Sequence, residues 1–202
     1  MTPKERLIIF TRYPEPGKTK TRMIPALGAE GAAQLQRRMT EATLAQAQKL
    51  QASRPLTVEV HFAGGNQPLM QAWLGAAVTC CPQGEGDLGQ RMASAFQASF
   101  AAGMTGVVTI GIDCPDLDAE LLAEAFEKLK TFDVVLGPAR DGGYYLIGLR
   151  RLVPELFAGL DWGTSKVRQQ TVDIAENIGL AIAFLPWLDD IDRPEDLVGR
   201  DI

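Results

Sequence analysis

Val107-Val108-Thr109-Ile110-Gly111-Ile112-Asp113-Cys114-Pro115-Asp116 is the stretch on which the fold turns. Its first six residues are almost continuously apolar and rich in β-branched side chains. This is the pattern of a central strand covered on both faces, as in a parallel sheet. Two carboxylates follow at once, three apart, on a turn that Pro115 helps fix. Open α/β sheets bind ligands beyond the C-terminal ends of their strands, so Asp113 stands where function is expected.

Working outward, short apolar runs at 7–11, 57–62, 78–81, 134–136, 144–149 and 181–185 read as further strands. Longer segments between them carry helical spacing. In 31–50, Leu35, Met39 and Ala42 recur, and Leu121, Leu122, Ala125, Phe126 and Leu129 do so more clearly, with Asp118 as N-cap. The alternation predicts an α/β fold, a mostly parallel central sheet flanked by helices on both faces. No repeat, low-complexity tract or linker interrupts it, so residues 1–202 read as a single domain large enough for its own core.

The composition excludes several classes. Net charge is -5, and an acidic balance without a basic face argues against general nucleic-acid binding. No apolar run approaches the roughly 18 residues of a membrane span, and the N-terminal apolar stretch is too short for a signal sequence. Neither membrane insertion nor secretion is expected, and the cytoplasm is the expected location. Three cysteines, Cys80, Cys81 and Cys114, form no ligand spacing and read as small buried hydrophobes in a reducing compartment. The sole histidine, His61, shares a strand face with Glu59, opposite Val58, Val60 and Phe62, so a histidine-based triad is not expected.

Against this acidic background, Pro16-Gly17-Lys18-Thr19-Lys20-Thr21-Arg22 concentrates three cations in one loop after the first strand. Gly17 lets backbone N–H groups approach a ligand, Lys18 and Lys20 supply point charges, and Arg22 offers a planar fork for phosphate oxygens. The loop is not a Walker A motif, because Arg12 stands where that motif has glycine. The Asp113/Asp116 turn is the complementary half, since hard cations such as Mg²⁺ take carboxylate and phosphate oxygens together. In the later run Asp189-Asp190-Ile191-Asp192-Arg193-Pro194-Glu195-Asp196-Leu197, Asp192 is the chosen further ligand. Pro194, Glu195 and Asp196 read there as the first turn of a terminal helix.

Gly84-Glu85-Gly86-Asp87-Leu88-Gly89 matches a dinucleotide fingerprint, but Glu85 and Asp87 would repel a pyrophosphate, so it reads as a turn that a base or ribose approaches. Gly137-Pro138-Ala139-Arg140-Asp141-Gly142-Gly143-Tyr144-Tyr145 joins two strands, either as a plain hairpin or as a loop that holds a polar acceptor, with Asp141 a candidate general base. In Trp162-Gly163-Thr164, Trp162 can stack on a ring, and Thr164 is expected to cap the next helix.

Taken together these motifs resemble the nucleotide-diphospho-sugar transferase superfamily with the GT-A fold, and within it the bacterial rSAM/selenodomain-associated transferases. The resemblance rests on Phe10-Thr11-Arg12 with the cationic loop, on Gly86-Asp87-Leu88-Gly89-Gln90-Arg91-Met92, on Gly111-Ile112-Asp113-Cys114-Pro115-Asp116-Leu117, on the 137–145 loop and on Trp162-Gly163-Thr164. It implies nucleotide contacts at Arg12, Gly17, Lys18, Lys20 and Arg22 for the phosphates and at Gln83, Gly86 and Leu88 for the base. It implies Mg²⁺ or Mn²⁺ at Asp113, with Asp116 and Asp192 as further ligands. The usual Asp-x-Asp pattern is replaced here by Asp113 and Asp116, with two residues between them.

Arg140 and Asp141, with Gly142, Gly143, Tyr144 and Trp162, fall on the side of a small-molecule acceptor. The cationic loop also resembles guanylyltransferases that activate 2-phospholactate, and Thr21-Arg22-Met23 resembles a loop of sugar nucleotidyltransferases. The expected activity is therefore metal-dependent transfer from a nucleotide sugar. A nucleotidyltransferase releasing pyrophosphate and a non-catalytic nucleotide-binding protein are the alternatives.

Overall fold

The computed structural model describes residues 4–199. In chain order these form β1 (Glu5–Arg12), α1 (Ile24–Ser53), β2 (Leu56–Ala63), α2 (Gln67–Leu74), β3 (Thr79–Pro82), α3 (Leu88–Ala101), β4 (Gly106–Ile110), α4 (Ala119–Lys128), β5 (Val134–Pro138), β6 (Tyr144–Leu149), α5 (Val167–Asn177) and β7 (Ile182–Phe184). Each strand expected from the apolar runs is present. One sheet holds them in the order β3-β2-β1-β4-β6-β5-β7. All neighbours are parallel except β6, which runs against both β4 and β5. That reversal follows from the 137–145 segment, which is a hairpin loop between β5 and β6.

The strand order positions the site. From β1 the chain builds outward to β2 and β3, then crosses back to lay β4 on the other side of β1. The connections after β1 and β4 therefore leave in opposite directions, and a crevice opens at their C-terminal ends. Both strands are apolar on both sides because both faces of the sheet are covered. One core packs Leu7, Ile9, Met39, Val108 and Phe126 together, and the other packs Ile8, Phe96, Val107, Leu136 and Leu149. β4 is buried along its whole length, as its unbroken apolar run requires.

Local chemistry sets the helix starts. Asp118 caps α4 by accepting from the N–H groups of Glu120 and Leu121 at 3.0 and 2.9 Å. Asp87 caps α3 in a reciprocal pair: its Oδ1 accepts from Gln90 N at 2.8 Å, and Gln90 Oε1 accepts from Asp87 N at 2.9 Å. α1 begins earlier than its apolar spacing implied and kinks at Gly28. A buried polar chain ties it to the end of β1: Gln36 Nε2 donates to Thr11 Oγ1 at 3.0 Å, and the Thr11 and Thr40 hydroxyls are 2.7 Å apart.

One expectation fails here, and another holds only in part. Thr164 does not cap α5, which starts at Val167 after Lys166; its hydroxyl donates to Asp161 O and accepts from Lys166 N, closing a turn ahead of the helix. The terminal helix is a single 3-10 turn, Pro194–Leu197, with Asp196 Oδ2 turned back onto the N–H groups of Asp192 and Arg193. Cys80 and Cys114 are buried as expected, while Cys81 is half-buried. No helix among the described residues is long and apolar enough to cross a membrane.

Candidate functional site

A cleft of about 480 Å³ opens at the C-terminal ends of β1 and β4. Thr11 and Arg12 line it from β1, Gly111, Ile112 and Asp113 from β4, Leu88 and Arg91 from the first turn of α3, and Asp141, Gly143 and Tyr144 from the hairpin. Arg22, Gln83, Trp162, Asp190 and Asp192 complete the walls. An outer lobe shares Arg22, Asp141, Asp190 and Asp192 with this cleft and adds Arg140, Asp189 and Arg193.

The cationic loop divides. Lys18 is exposed, pairs with Glu15 at 2.7 Å and does not line the cleft, and neither does Gly17. Lys20 is held in the left-handed backbone region with φ 46°, an unfavourable conformation for a side-chain-bearing residue. Its side chain is only 5% exposed, and the ammonium reaches the Asp113 carboxylate at 2.7 Å and also donates to the carbonyl of Ile191. Arg22 lines the cleft and pairs with Asp192. Asp192 therefore stands first as the partner of a cation.

Asp190, which sequence reasoning passed over in favour of Asp192, lines the same cleft with no cation paired to it among the described residues. Ile191 is fully buried between them, and its N–H donates to Asp113 O at 2.8 Å. An extended segment anchored by that middle residue turns both flanking aspartates to the cleft. Burial pushes the Asp190 carboxyl above the usual carboxylate range, and the nearby charges of Asp141, Asp196 and Asp113 add to the effect. The Lys20 ammonium is the cation already held at Asp113. An all-oxygen donor set in this state fits a hard divalent ion. Asp116 lies outside the cleft, in the Cys114–Leu117 turn.

Arg91 is a second residue that the sequence signal did not isolate. It follows the N-cap Asp87 by one helical turn, and two contacts fix it: Nη1 donates to Gln83 Oε1 at 2.9 Å and Nε to Asp87 O at 3.2 Å. Gln83 spends its own amide on Thr11 O and His61 O, at 3.1 and 3.0 Å, which orients it to hold Arg91. Gly86 has φ 94° and shapes the turn ahead of α3 without lining the cleft, whereas Leu88 lines it.

On the hairpin side, Asp141 Oδ1 accepts from Gly143 N at 2.8 Å, so one oxygen is pinned and the other is left to the cleft. Gly142, with φ 93°, passes so close to Ser165 that a Cβ would lie 2.3 Å from its carbonyl oxygen. Arg140 sits in the outer lobe, paired with Asp189 at 2.8 Å. Tyr144 meets Trp162 edge-on with ring centroids 6.4 Å apart, and burial pushes its phenol up. The buried Thr109 hydroxyl and Trp162 Nε1, both on the cleft wall, have no hydrogen-bond partner among the described residues. Burial also pushes the Cys114 thiol up, with Asp113 and Asp190 adding to the effect, which rules it out as a ready thiolate nucleophile.

Comparison with known proteins places this geometry. The model of a family described as uncharacterized proteins conserved in bacteria, DUF2064, matches residues 43–164. A crystal structure from Desulfovibrio desulfuricans G20, provisionally described as a nucleotide-diphospho-sugar transferase, superposes with a TM-score of 0.90 at 36% identity, covering 96% of this chain and 85% of that one. The inositol-1-phosphate CTP transferase of T. maritima shares the fold at a TM-score of 0.60 and 13% identity, over 98% of this chain and 93% of its own. Rv0371C of Mycobacterium tuberculosis H37Rv, solved with manganese, does so at 0.54 and 15%, over 96% of each chain. A search of curated proteins gave no significant match. The chain thus belongs to the bacterial family DUF2064 and carries the nucleotide-diphospho-sugar transferase fold.

Proposed function

We propose that the protein is a metal-dependent transferase that uses a nucleotide-activated donor, with a nucleotide sugar as the donor of first choice. The observation that supports this reading is the meeting in one cleft of four carboxylates, Asp113, Asp141, Asp190 and the Arg22-paired Asp192, with three guanidinium groups, Arg12, Arg22 and Arg91. Phosphate oxygens and a divalent ion together satisfy both sets; a neutral ligand satisfies neither. The 36%-identical relative, provisionally described as a nucleotide-diphospho-sugar transferase, supports the same reading.

In this proposal Asp113 and Asp190 hold Mg²⁺ or Mn²⁺, which when bound offsets the negative charge of the departing phosphate group. Lys20 keeps Asp113 neutralised until then. Arg22 and Arg91 hold donor phosphates, Gln83 fixes Arg91, and Leu88 and Trp162 offer apolar surface to base or sugar. The unpinned Asp141 oxygen takes the acceptor proton, and Gly143 and Tyr144 shape the acceptor side with Arg140 at its mouth. Transfer of a nucleotidyl group with loss of pyrophosphate is the second reading, supported by three arginines in the cleft, which together carry more charge than the diphosphate of a nucleotide sugar. The motif pattern also supports a likeness to the rSAM/selenodomain-associated transferases within the nucleotide-diphospho-sugar transferase superfamily.

Thermal melting with nucleoside triphosphates, nucleoside diphosphates and nucleotide sugars, each with Mg²⁺, Mn²⁺ or chelator, tests the proposal. A ligand at about 100 times its dissociation constant adds about 2.7 kcal/mol, a shift of several degrees for a chain of this size. Metal-dependent preference for a nucleotide sugar supports glycosyl transfer, and preference for a triphosphate supports the second reading. No response to any nucleotide overturns both.

A further inference from the structure

Away from the cleft, on the outer part of the sheet, a second group of donors comes together. β2 and β3 are parallel, with His61 opposite Cys81 in register, so the two side chains leave the same face, and Glu59, two residues before His61, leaves it too. His61 Nε2 and Glu59 Oε2 are 3.0 Å apart. The ligand atoms of Glu59, His61 and Cys81 all lie within 4.8 Å of one another, the only three His, Cys, Asp or Glu groups among the described residues to do so. The cleft aspartates are more widely spread.

We propose that Glu59, His61 and Cys81 form a binding site for a borderline-soft divalent cation such as Zn²⁺. One nitrogen, one sulfur and one carboxylate oxygen suit such an ion and not Mg²⁺, and the three leave a fourth position for water or an exogenous ligand. The surroundings are arranged for ligation. Arg6 Nη1 holds Glu59 Oε1 at 2.9 Å and also donates to Ser99 Oγ, while Arg6 Nε donates to Thr57 Oγ1; this orients the carboxylate and leaves Oε2 for the ion. Phe10 stacks on the His61 ring with centroids 5.6 Å apart and steadies it from the cleft side. β3 is the edge strand, so an ion can enter from the open flank of the sheet.

On binding, the Cys81 thiol gives its proton to solvent, and the sulfur's electron pair forms the metal–sulfur bond with no change of oxidation state. The bound ion clamps the edge strand to β2 and braces Phe10, which lines the cleft. The site uses none of the cleft aspartates, so it stands or falls apart from the proposed transferase activity.

The experiment uses the full chain. Titration of the reduced, metal-free protein with Zn²⁺ against a chromophoric chelator is expected to show one tight equivalent, weakened at least a hundredfold in Cys81→Ser and in His61→Ala but retained in Asp113→Asn. Co²⁺ is expected to give a thiolate charge-transfer band that Cys81→Ser abolishes. Since a variant can fail to fold, the wild-type chain supplies an independent readout. Stoichiometric Zn²⁺ should slow iodoacetamide labelling of Cys81, mapped by mass spectrometry, at least tenfold. No tight equivalent, a charge-transfer band that survives Cys81→Ser, or unchanged labelling of Cys81 with Zn²⁺ would overturn the proposal.

Discussion

Replacing Gly89 by alanine pits local propensity against packing, and the two predict opposite signs. Gly89 is the second residue of α3, where alanine in place of glycine favours a helix interior by up to about 1 kcal/mol. In the folded protein a Cβ at that position would lie 2.4 Å from the carbonyl oxygen of Phe157 and 2.5 and 2.7 Å from Nε1 and Cε2 of Trp162. Ordinary contact begins near 3.4 Å, so about 1 Å must be found. Phe157 O belongs to the backbone, and Trp162 is backed edge-on by Tyr144. Overpacking of this kind costs about 1–3 kcal/mol against a propensity gain of at most about 1 kcal/mol, which leaves a net loss of up to about 2 kcal/mol. For a chain of this size that is a fall in Tm of up to about 8 °C by calorimetry. Because Trp162 lines the cleft, its fluorescence and the affinity for a nucleotide ligand change together. Gly111→Ala is the control: a Cβ there meets nothing within 4 Å, and its stability should stay within about 0.5 kcal/mol of the parent. A Gly89→Ala variant as stable as the parent, or more so, would refute the packing argument.

Three further outcomes are expected. Asp190→Asn should raise Tm at neutral pH while removing metal-dependent nucleotide stabilisation. The Asp190 carboxyl is held above its ordinary value by burial first and by Asp141 next, so the charged form costs stability above the folded-state pKa. The variant's advantage should therefore shrink as the pH falls through that pKa, and an advantage that grows on acidification would contradict it. Asp113→Ala leaves the ammonium of Lys20, whose side chain is 5% exposed, with only the Ile191 carbonyl among the described residues. A loss of about 1–3 kcal/mol in urea unfolding is expected, between the limits for exposed and buried pairs because Asp113 is itself half-exposed. Arg22→Ala and Arg91→Ala should each weaken nucleotide binding tenfold or more by calorimetric titration, with a shallower salt dependence. Lys18→Ala, whose ammonium already pairs with Glu15 outside the cleft, should change it less than about twofold. Equal losses for all three would mean that the loop closes on the ligand with Lys18 inside.

Much of the fold was legible because it rests on local signals. The unbroken apolar run before Asp113 could only be satisfied between two covered faces, and β4 is buried along its length. Asp118 announced the start of α4 by its own hydrogen-bonding chemistry. The cleft was legible in outline for a similar reason: strand ends are where such sheets leave room, and Asp113, Arg12, Arg22 and Asp141 all sit there.

What failed was the assignment of charged side chains to partners. Asp190 and Asp192 are equivalent in sequence, and only the burial of Ile191 and the position of Arg22 decide that Asp192 meets an arginine while Asp190 faces the other carboxylates. Lys18 and Lys20 are likewise two residues apart in one loop, yet one is paired with Glu15 in solvent and the other is buried against Asp113. Glu59, His61 and Cys81 carry no recognisable ligand spacing because the third donor arrives across a strand pairing. The sequence by itself determined the elements, the two-faced sheet and the end of it that carries the site, since hydrophobic periodicity and capping act within a few residues. Only the tertiary structure decided which charges meet, because that depends on register and on distances between segments up to 171 residues apart.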